Sequence, residues 1–224
     1  MKNNILIFIV CIGIIASLFY QKWYKNKALN KLYELKREKN TKEFISLLDS
    51  NYLKFTFDEF TREFMKLNYW IEINNDEEVK KLLHRFQNMK MNDDNKVALY
   101  SRLFGYYVVK KENQKAIHIK DILIPLLEKK KDDKSQLLLG EINQVTSIYI
   151  EKDTSLLPLL VDTLNSIEDN KTKAILCTRI AKLYHYMNNS EKVNEYLLTA
   201  TEYTNNDIEK EDLKKMMDNP SLLD

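Results

Sequence analysis

The chain has 224 residues, of which 30% are charged, and its formal net charge is only +2. This balance gives no overall basic field, which argues against a nucleic-acid-binding protein. With three glycines, three prolines and two cysteines, the chain is also a poor candidate for a sheet with tight hairpins, a glycine-rich phosphate-binding loop or a disulfide framework.

The first part of the chain is strongly apolar. No charge occurs between Lys2 and Lys22, and these nineteen residues would span about 28 Å as a helix, close to the hydrocarbon thickness of a bilayer. Trp23 and Tyr24 follow, and such residues are typical of the membrane interface. We therefore predict an uncleaved transmembrane anchor at residues 1–23.

Two alternatives to the anchor stay open. A cleaved signal peptide would need small residues at its cleavage site, but the apolar run continues past Ala16. A lipoprotein signal would need a small residue before Cys11, where Val10 stands.

Basic residues follow the apolar run. Residues 22–42 contain eight lysines and arginines, whereas only Lys2 precedes the run. The more basic side of a membrane span usually stays in the cytoplasm. We therefore expect a single-pass protein of the cell membrane whose remaining domain is cytoplasmic, with an extracytoplasmic domain as the alternative.

The rest of the chain carries apolar residues at intervals of three and four, which indicates amphipathic helices. Short polar turns separate successive helices and make neighbours antiparallel. We predict an all-α domain at 24–204 followed by an acidic C-terminal tail at 205–224. The five predicted hairpins pair residues 24–38 with 41–50, 57–72 with 76–89, 94–111 with 113–129, 134–151 with 154–168, and 171–187 with 190–204.

A recurring nine-residue spacing supports this division. An aromatic or apolar residue is followed nine positions later by a small or apolar one, at periods of 37, 41 and 36 residues. Such a period is typical of a helical repeat. The pairs are Trp70 with Val79, Tyr107 with Ala116, Ile148 with Leu157, and Tyr184 with Val193. The first hairpin departs from the rule, with eleven residues from Tyr33 to Phe44, and the fourth has Gln144 at an expected apolar position.

The last hairpin has the clearest pattern, formed by Cys177, Ile180, Ala181, Tyr184, Val193, Leu197 and Ala200. It resembles the tetratricopeptide repeat, in which small residues such as Ala181 and Ala200 let two helices cross closely. The resemblance implies a right-handed superhelix of about five antiparallel hairpins behind the transmembrane helix, in a protein we expect to be bacterial. Other α-solenoids remain alternatives.

In tetratricopeptide proteins the first helices of the hairpins line a concave groove that binds peptides or partner helices. On this resemblance, we expect the exposed partner-binding residues to be Asn68, Arg102, Tyr106, Asn143, Arg179, Lys182 and His185. The cations among them would favour an acidic or carboxylate-bearing partner. The residue pattern of the carboxylate-clamp members is not reproduced.

Chemistry-bearing motifs are sparse. His84, His118 and His185 lie on different hairpins without metal-ligand spacing, and we expect no metal, no cofactor, no nucleic acid and no enzymatic activity. The leading hypothesis is a membrane-anchored scaffold or adaptor that binds a protein or peptide. The alternative is a peptide-sensing or peptide-sequestering module for immunity or signalling.

Overall fold

The computed structural model describes residues 24–224, so the predicted anchor at residues 1–23 lies outside it. All regular secondary structure in the described part is helical, without a strand, which confirms the all-α class. Within residues 24–224, no helix combines the length and the apolar character needed to cross a bilayer.

The chain divides into two compact units between Arg102 and Leu103. The first described unit contains α1 (residues 24–37), α2 (Thr41–Asp49), α3 (Asn51–Thr56), α4 (Glu59–Glu72), α5 (Asp76–Gln87) and the start of α6 (Asp93–Val109). The second unit contains the end of α6, α7 (Asn113–Lys130), α8 (Asp133–Val145), α9 (Leu157–Ser166), α10 (Asn170–Tyr186), α11 (Ser190–Tyr203) and α12 (Asp207–Asp218). A π-helical turn at Thr146–Ile150 extends α8, and 3-10 turns lie at Thr154–Leu156 and Pro220–Leu223.

The same left-handed turn ends the first helix of every hairpin. Its residue has a φ between 55° and 57° in all five turns, yet none of the five is glycine: Lys39, Asn74, Lys111, Lys152 and Asn188. In four turns the next N–H donates to the carbonyl five residues earlier, as in the bonds Asn75 to Trp70 at 2.9 Å and Asn189 to Tyr184 at 3.0 Å. This bond satisfies a free carbonyl at the helix end. The nine-residue spacing therefore reflects one repeated turn geometry.

This geometry corrects the register of the first hairpin. The Asn40 N–H donates to Leu35, 2.9 Å away, in the equivalent bond. Leu35 is 2% exposed and Phe44 is 5% exposed, whereas Tyr33 is 70% exposed. The pair that belongs to the repeat is Leu35 with Phe44, nine residues apart, and not Tyr33 with Phe44.

The fourth hairpin differs because α8 ends in the π-helical turn. The Glu151 N–H donates to the Thr146 carbonyl at 3.0 Å, and the Asp153 N–H donates to Ser147, six residues back, at 2.8 Å. Ile148, within this turn, is fully buried. Single π-turns of this kind are rare and are often found at functional sites.

Separate apolar clusters stabilise the two units. In the first unit, α1 to α4 bury residues that include Leu32, Phe44, Leu53 and Tyr69. In the second, α10 and α11 pack most extensively, and Ala181 and Ala200 are both fully buried on these two helices.

Residues 205–224 contribute to the second unit. They contain α12 and the final 3-10 turn. Leu213 and Leu223 join the cluster formed by Cys177, Ala181, Val193, Leu197 and Ala200.

Candidate functional site

The candidate site lies on one side of α10, where residues separated by three or four positions face the same direction. Arg179, Lys182 and Tyr186 follow this spacing, and the π-helical turn after α8 places Tyr149 against them. The structure thus brings together three residues predicted from the sequence, namely Arg179, Lys182 and His185. It adds two tyrosines that the sequence analysis did not select.

Arg179 is a structural cation. Its guanidinium group forms a two-pronged ion pair with Glu141, with one N–O distance of 3.1 Å, and it also donates to the Gln144 side chain. Only 8% of Arg179 is exposed, so the expectation of an exposed groove residue is wrong. Gln144, which breaks the apolar pattern of the fourth hairpin, is explained by this contact.

Lys182 is also buried, at 6% exposure, which again contradicts the expected exposure. Its Nζ atom lies 4.6 Å from the ring centroid of Tyr149 and 5.4 Å from that of Tyr186. The same atom donates to the main-chain oxygen of Leu223, and to that of Asp224 at 3.1 Å. Burial, and then the nearby charge of Lys111, lower the pKa of Lys182 to about 8.

A carboxylate completes the site. The Asp224 Oδ1 atom lies 3.0 Å from His185 Nε2. This hydrogen bond, the His185 charge and the more distant charges of Lys152 and Lys111 hold the pKa of Asp224 below its usual value. We call Lys111, Lys152, Lys182 and His185 the basic cluster. It presents three ammonium groups and an imidazole to one side-chain carboxylate.

The tyrosines supply apolar walls and one unused polar group. Burial raises the pKa of Tyr149 and raises that of Tyr186 to about 12, so both are neutral at physiological pH. The Nζ atom of Lys152 lies 4.9 Å from the Tyr186 ring centroid. The Tyr186 hydroxyl oxygen is buried and has no hydrogen-bond partner within the described part of the chain. Buried polar groups are normally paired, so an unpaired hydroxyl at this position is unusual.

A second polar cluster, in the first unit, has a different charge balance. Lys66 is buried and pairs with Glu63 at 2.9 Å and with Asp49 at 2.6 Å, while Arg85 pairs with Glu63 at 3.1 Å. Two cations therefore face two carboxylates. This closed arrangement explains the buried charges by mutual pairing and leaves no excess charge for a ligand.

The other predicted residues lie elsewhere. Asn68 donates to the Phe64 carbonyl at 3.0 Å and lines a groove of about 360 Å³ in the first unit. Arg102 is half-buried, and its Nε is buried without a hydrogen-bond partner in the described structure. Tyr106 is only 7% exposed, contrary to its expected exposure. Asn143 is exposed as expected.

Five residues of the site were not predicted from the sequence: Tyr149, Tyr186, Lys111, Lys152 and Asp224. Lys111 and Lys152 each occupy the left-handed position of a hairpin turn. That repetition is a sequence signal, because both lysines stand four residues after the first member of a nine-residue pair. Tyr149 and Asp224 carry no such signal.

No group of histidine, cysteine, aspartate and glutamate side chains suited to hold a metal occurs in residues 24–224. The chain matches no protein-family model, no curated protein and no solved structure. A function is therefore inferred from the site itself.

Proposed function

We propose that the protein is a membrane-anchored adaptor whose helical-repeat domain binds an acidic peptide or the acidic segment of a partner protein. In this proposal residues 1–23 form the transmembrane anchor and the domain faces the cytoplasm. The left-handed residue found in all five turns, and the shared hydrogen bond in four of them, support tetratricopeptide-like hairpins. The right-handed superhelical path is what the resemblance to that family implies. Stacks of such hairpins bind through the surface lined by their first helices, here α8 and α10 in the second unit.

The observation that carries the proposal is the charge excess of the basic cluster. Lys111, Lys152 and Lys182 act on the side-chain carboxylate of Asp224 or on one another. A charged ammonium group that is partly removed from water is stabilised when an anion approaches it. The cluster therefore favours ligands with more carboxylates than the chain itself supplies there.

The tyrosine rings define the rest of the ligand. Tyr149 and Tyr186 flank Lys182, and aromatic walls next to cations suit a peptide that has an apolar side chain close to its acidic residues. The Tyr186 hydroxyl can donate to a ligand oxygen. A peptide-sensing module, the alternative function, would use the same surface for a free peptide.

The test compares the partner proteins that are cross-linked to wild type and to charge-neutralised variants in membranes. The double variant Lys111→Gln/Lys152→Gln removes two exposed charges of the basic cluster. Lys131→Gln is the matched control, because Lys131 is also exposed and also has a left-handed backbone, with a φ of 55°. Lys111 precedes α7 and Lys131 follows it. The eighteen residues of this helix are about 27 Å long, so Lys131 lies far from the basic cluster.

We expect the double variant to lose a partner that wild type and Lys131→Gln both retain. The loss should be larger at low salt, where exposed charges act over a longer range. Equal recovery of the same partners by all three proteins would reject the basic cluster as the binding surface.

A further inference from the structure

We infer that residues 220–224 occupy the peptide-binding site on α8 and α10 as an internal competitor, and that a partner peptide with an apolar residue followed by carboxylates displaces them. This inference rests on the proposed function and adds its regulation and the chemistry of its ligand. The 3-10 turn Pro220–Leu223 together with Asp224 is called segment 220–224 below.

The contacts of segment 220–224 have the form of a bound peptide. Its main-chain oxygens at Leu223 and Asp224 accept from Lys182, and its carboxylate pairs with His185. Leu223 is 3% exposed and joins the apolar cluster of α10 and α11. One apolar anchor, one side-chain carboxylate and two main-chain oxygens bonded to Lys182 therefore hold the five residues in place.

Leu222 and Leu223 are adjacent in the segment, but only one of them anchors it. Leu222 is 53% exposed, whereas Leu223 is buried. The same substitution can therefore be made at both positions. Only the one at Leu223 removes the anchor, so the one at Leu222 is the matched control.

Apart from the buried Leu223 and the two bonds from Lys182, the contacts that hold segment 220–224 are weak. Asp224 pairs with His185 through a side chain that is 52% exposed, and exposed ion pairs contribute little. Within the segment, the main-chain bonds are those from Leu222 to Asn219 at 3.0 Å and from Asp224 to Ser221 at 3.2 Å. The segment is a single short turn that follows α12, and its Leu223 packs in the same cluster as Leu213 of that helix.

The charge balance of the site favours a partner peptide over segment 220–224. Segment 220–224 offers one side-chain carboxylate to the three lysines of the basic cluster and leaves the Tyr186 hydroxyl unpaired. A peptide with the same leucine anchor and two or three acidic residues would satisfy more of these groups. Every ligand must first displace the internal segment, which lowers the ligand's apparent affinity. Weakly acidic peptides therefore bind poorly.

The experiment measures fluorescence polarisation of a labelled peptide with the sequence of residues 216–224, MMDNPSLLD, added to the full chain in detergent. Leu223→Ser should bind this probe roughly tenfold more tightly than wild type, as expected if the site is open about one time in ten. Leu222→Ser should bind like wild type. Adding Lys182→Gln to Leu223→Ser should abolish the gain.

A second measurement uses wild type alone, so its result does not depend on whether a variant folds. Excess probe should speed hydrogen exchange at the Leu222 and Asp224 amides, because it displaces the segment that protects them. Equal affinity of wild type and Leu223→Ser, or unchanged exchange at both amides, would overturn the inference. If partner capture still depends on Lys111 and Lys152, the proposed function would stand and only the internal competition would fall.

Discussion

The Nζ atom of Lys182 lies 4.6 Å from the centre of the Tyr149 ring, although the two residues belong to different hairpins. Tyr149 lies within the π-helical turn Thr146–Ile150 at the end of α8. The contact places a buried cation between two neutral aromatic rings and beside the main chain of Leu223.

Lys182 should make stability depend on pH in the alkaline range. Its pKa in the folded protein is about 8, below the usual 10.5 of a lysine, so between these values the unfolded state binds more protons. Stability from this group therefore rises with pH over that window. Urea unfolding at pH 7, 8.5 and 10 should show wild type gaining stability relative to Lys182→Met as pH rises. A constant difference between the two proteins would contradict the pKa shift.

Gln144→Leu should destabilise the protein, although the repeat pattern predicts an apolar residue there. The substitution removes an acceptor from the buried Arg179, and an unsatisfied buried donor costs about 1–3 kcal/mol. Thermal unfolding measures the loss. Asn143→Leu is the control on the neighbouring exposed position and should change stability by less than about 0.5 kcal/mol. A Gln144→Leu protein as stable as the control would show that the contact is unimportant.

Ala181→Leu and Ala200→Leu should each lower the free energy of unfolding by roughly 1–3 kcal/mol, because both alanines are fully buried on the most closely packed helix pair and the larger side chain overpacks it. Chemical denaturation provides the measurement. Leu198→Ala is the control on α11, where Leu198 is 57% exposed. Wild-type stability of both leucine variants would mean that the two helices do not cross at these residues.

The Cys177 thiol should be unreactive in the folded protein. Burial raises its pKa to about 11, so the reactive thiolate is scarce at pH 8. In a Cys11→Ser background, a thiol-specific chromogenic reagent should label Cys177 only after urea unfolding. Rapid labelling of the folded protein would show that the core around α10 and α11 opens readily.

The helices were predictable from the sequence because their signals are local. One turn geometry links Trp70 to Val79 and Tyr184 to Val193, and each such signal spans nine residues. The first hairpin was misread because the aromatic Tyr33 looked like the repeat residue, whereas the buried position belongs to Leu35.

The chemistry of the site depended on distant partners. Arg179 meets Glu141 across 38 positions, and Lys182 meets Leu223 across 41. Without these partners, a cation on the first helix of a hairpin reads as an exposed groove residue. The extra residue of the π-helical turn likewise leaves no periodic signal, so the position of Tyr149 could not be predicted.

Site-specific photo-crosslinking tests the central claim, that a partner binds at the basic cluster, most directly. Met187 is exposed and directly follows Tyr186, the last residue of α10. A photoreactive phenylalanine analogue in its place should capture the partner in membranes. The same analogue in place of Leu137, which is 76% exposed on α8, should not. Excess MMDNPSLLD peptide should suppress the crosslink from position 187. Equal crosslinking from both positions, or a crosslink from 187 that the peptide leaves unchanged, would contradict the account.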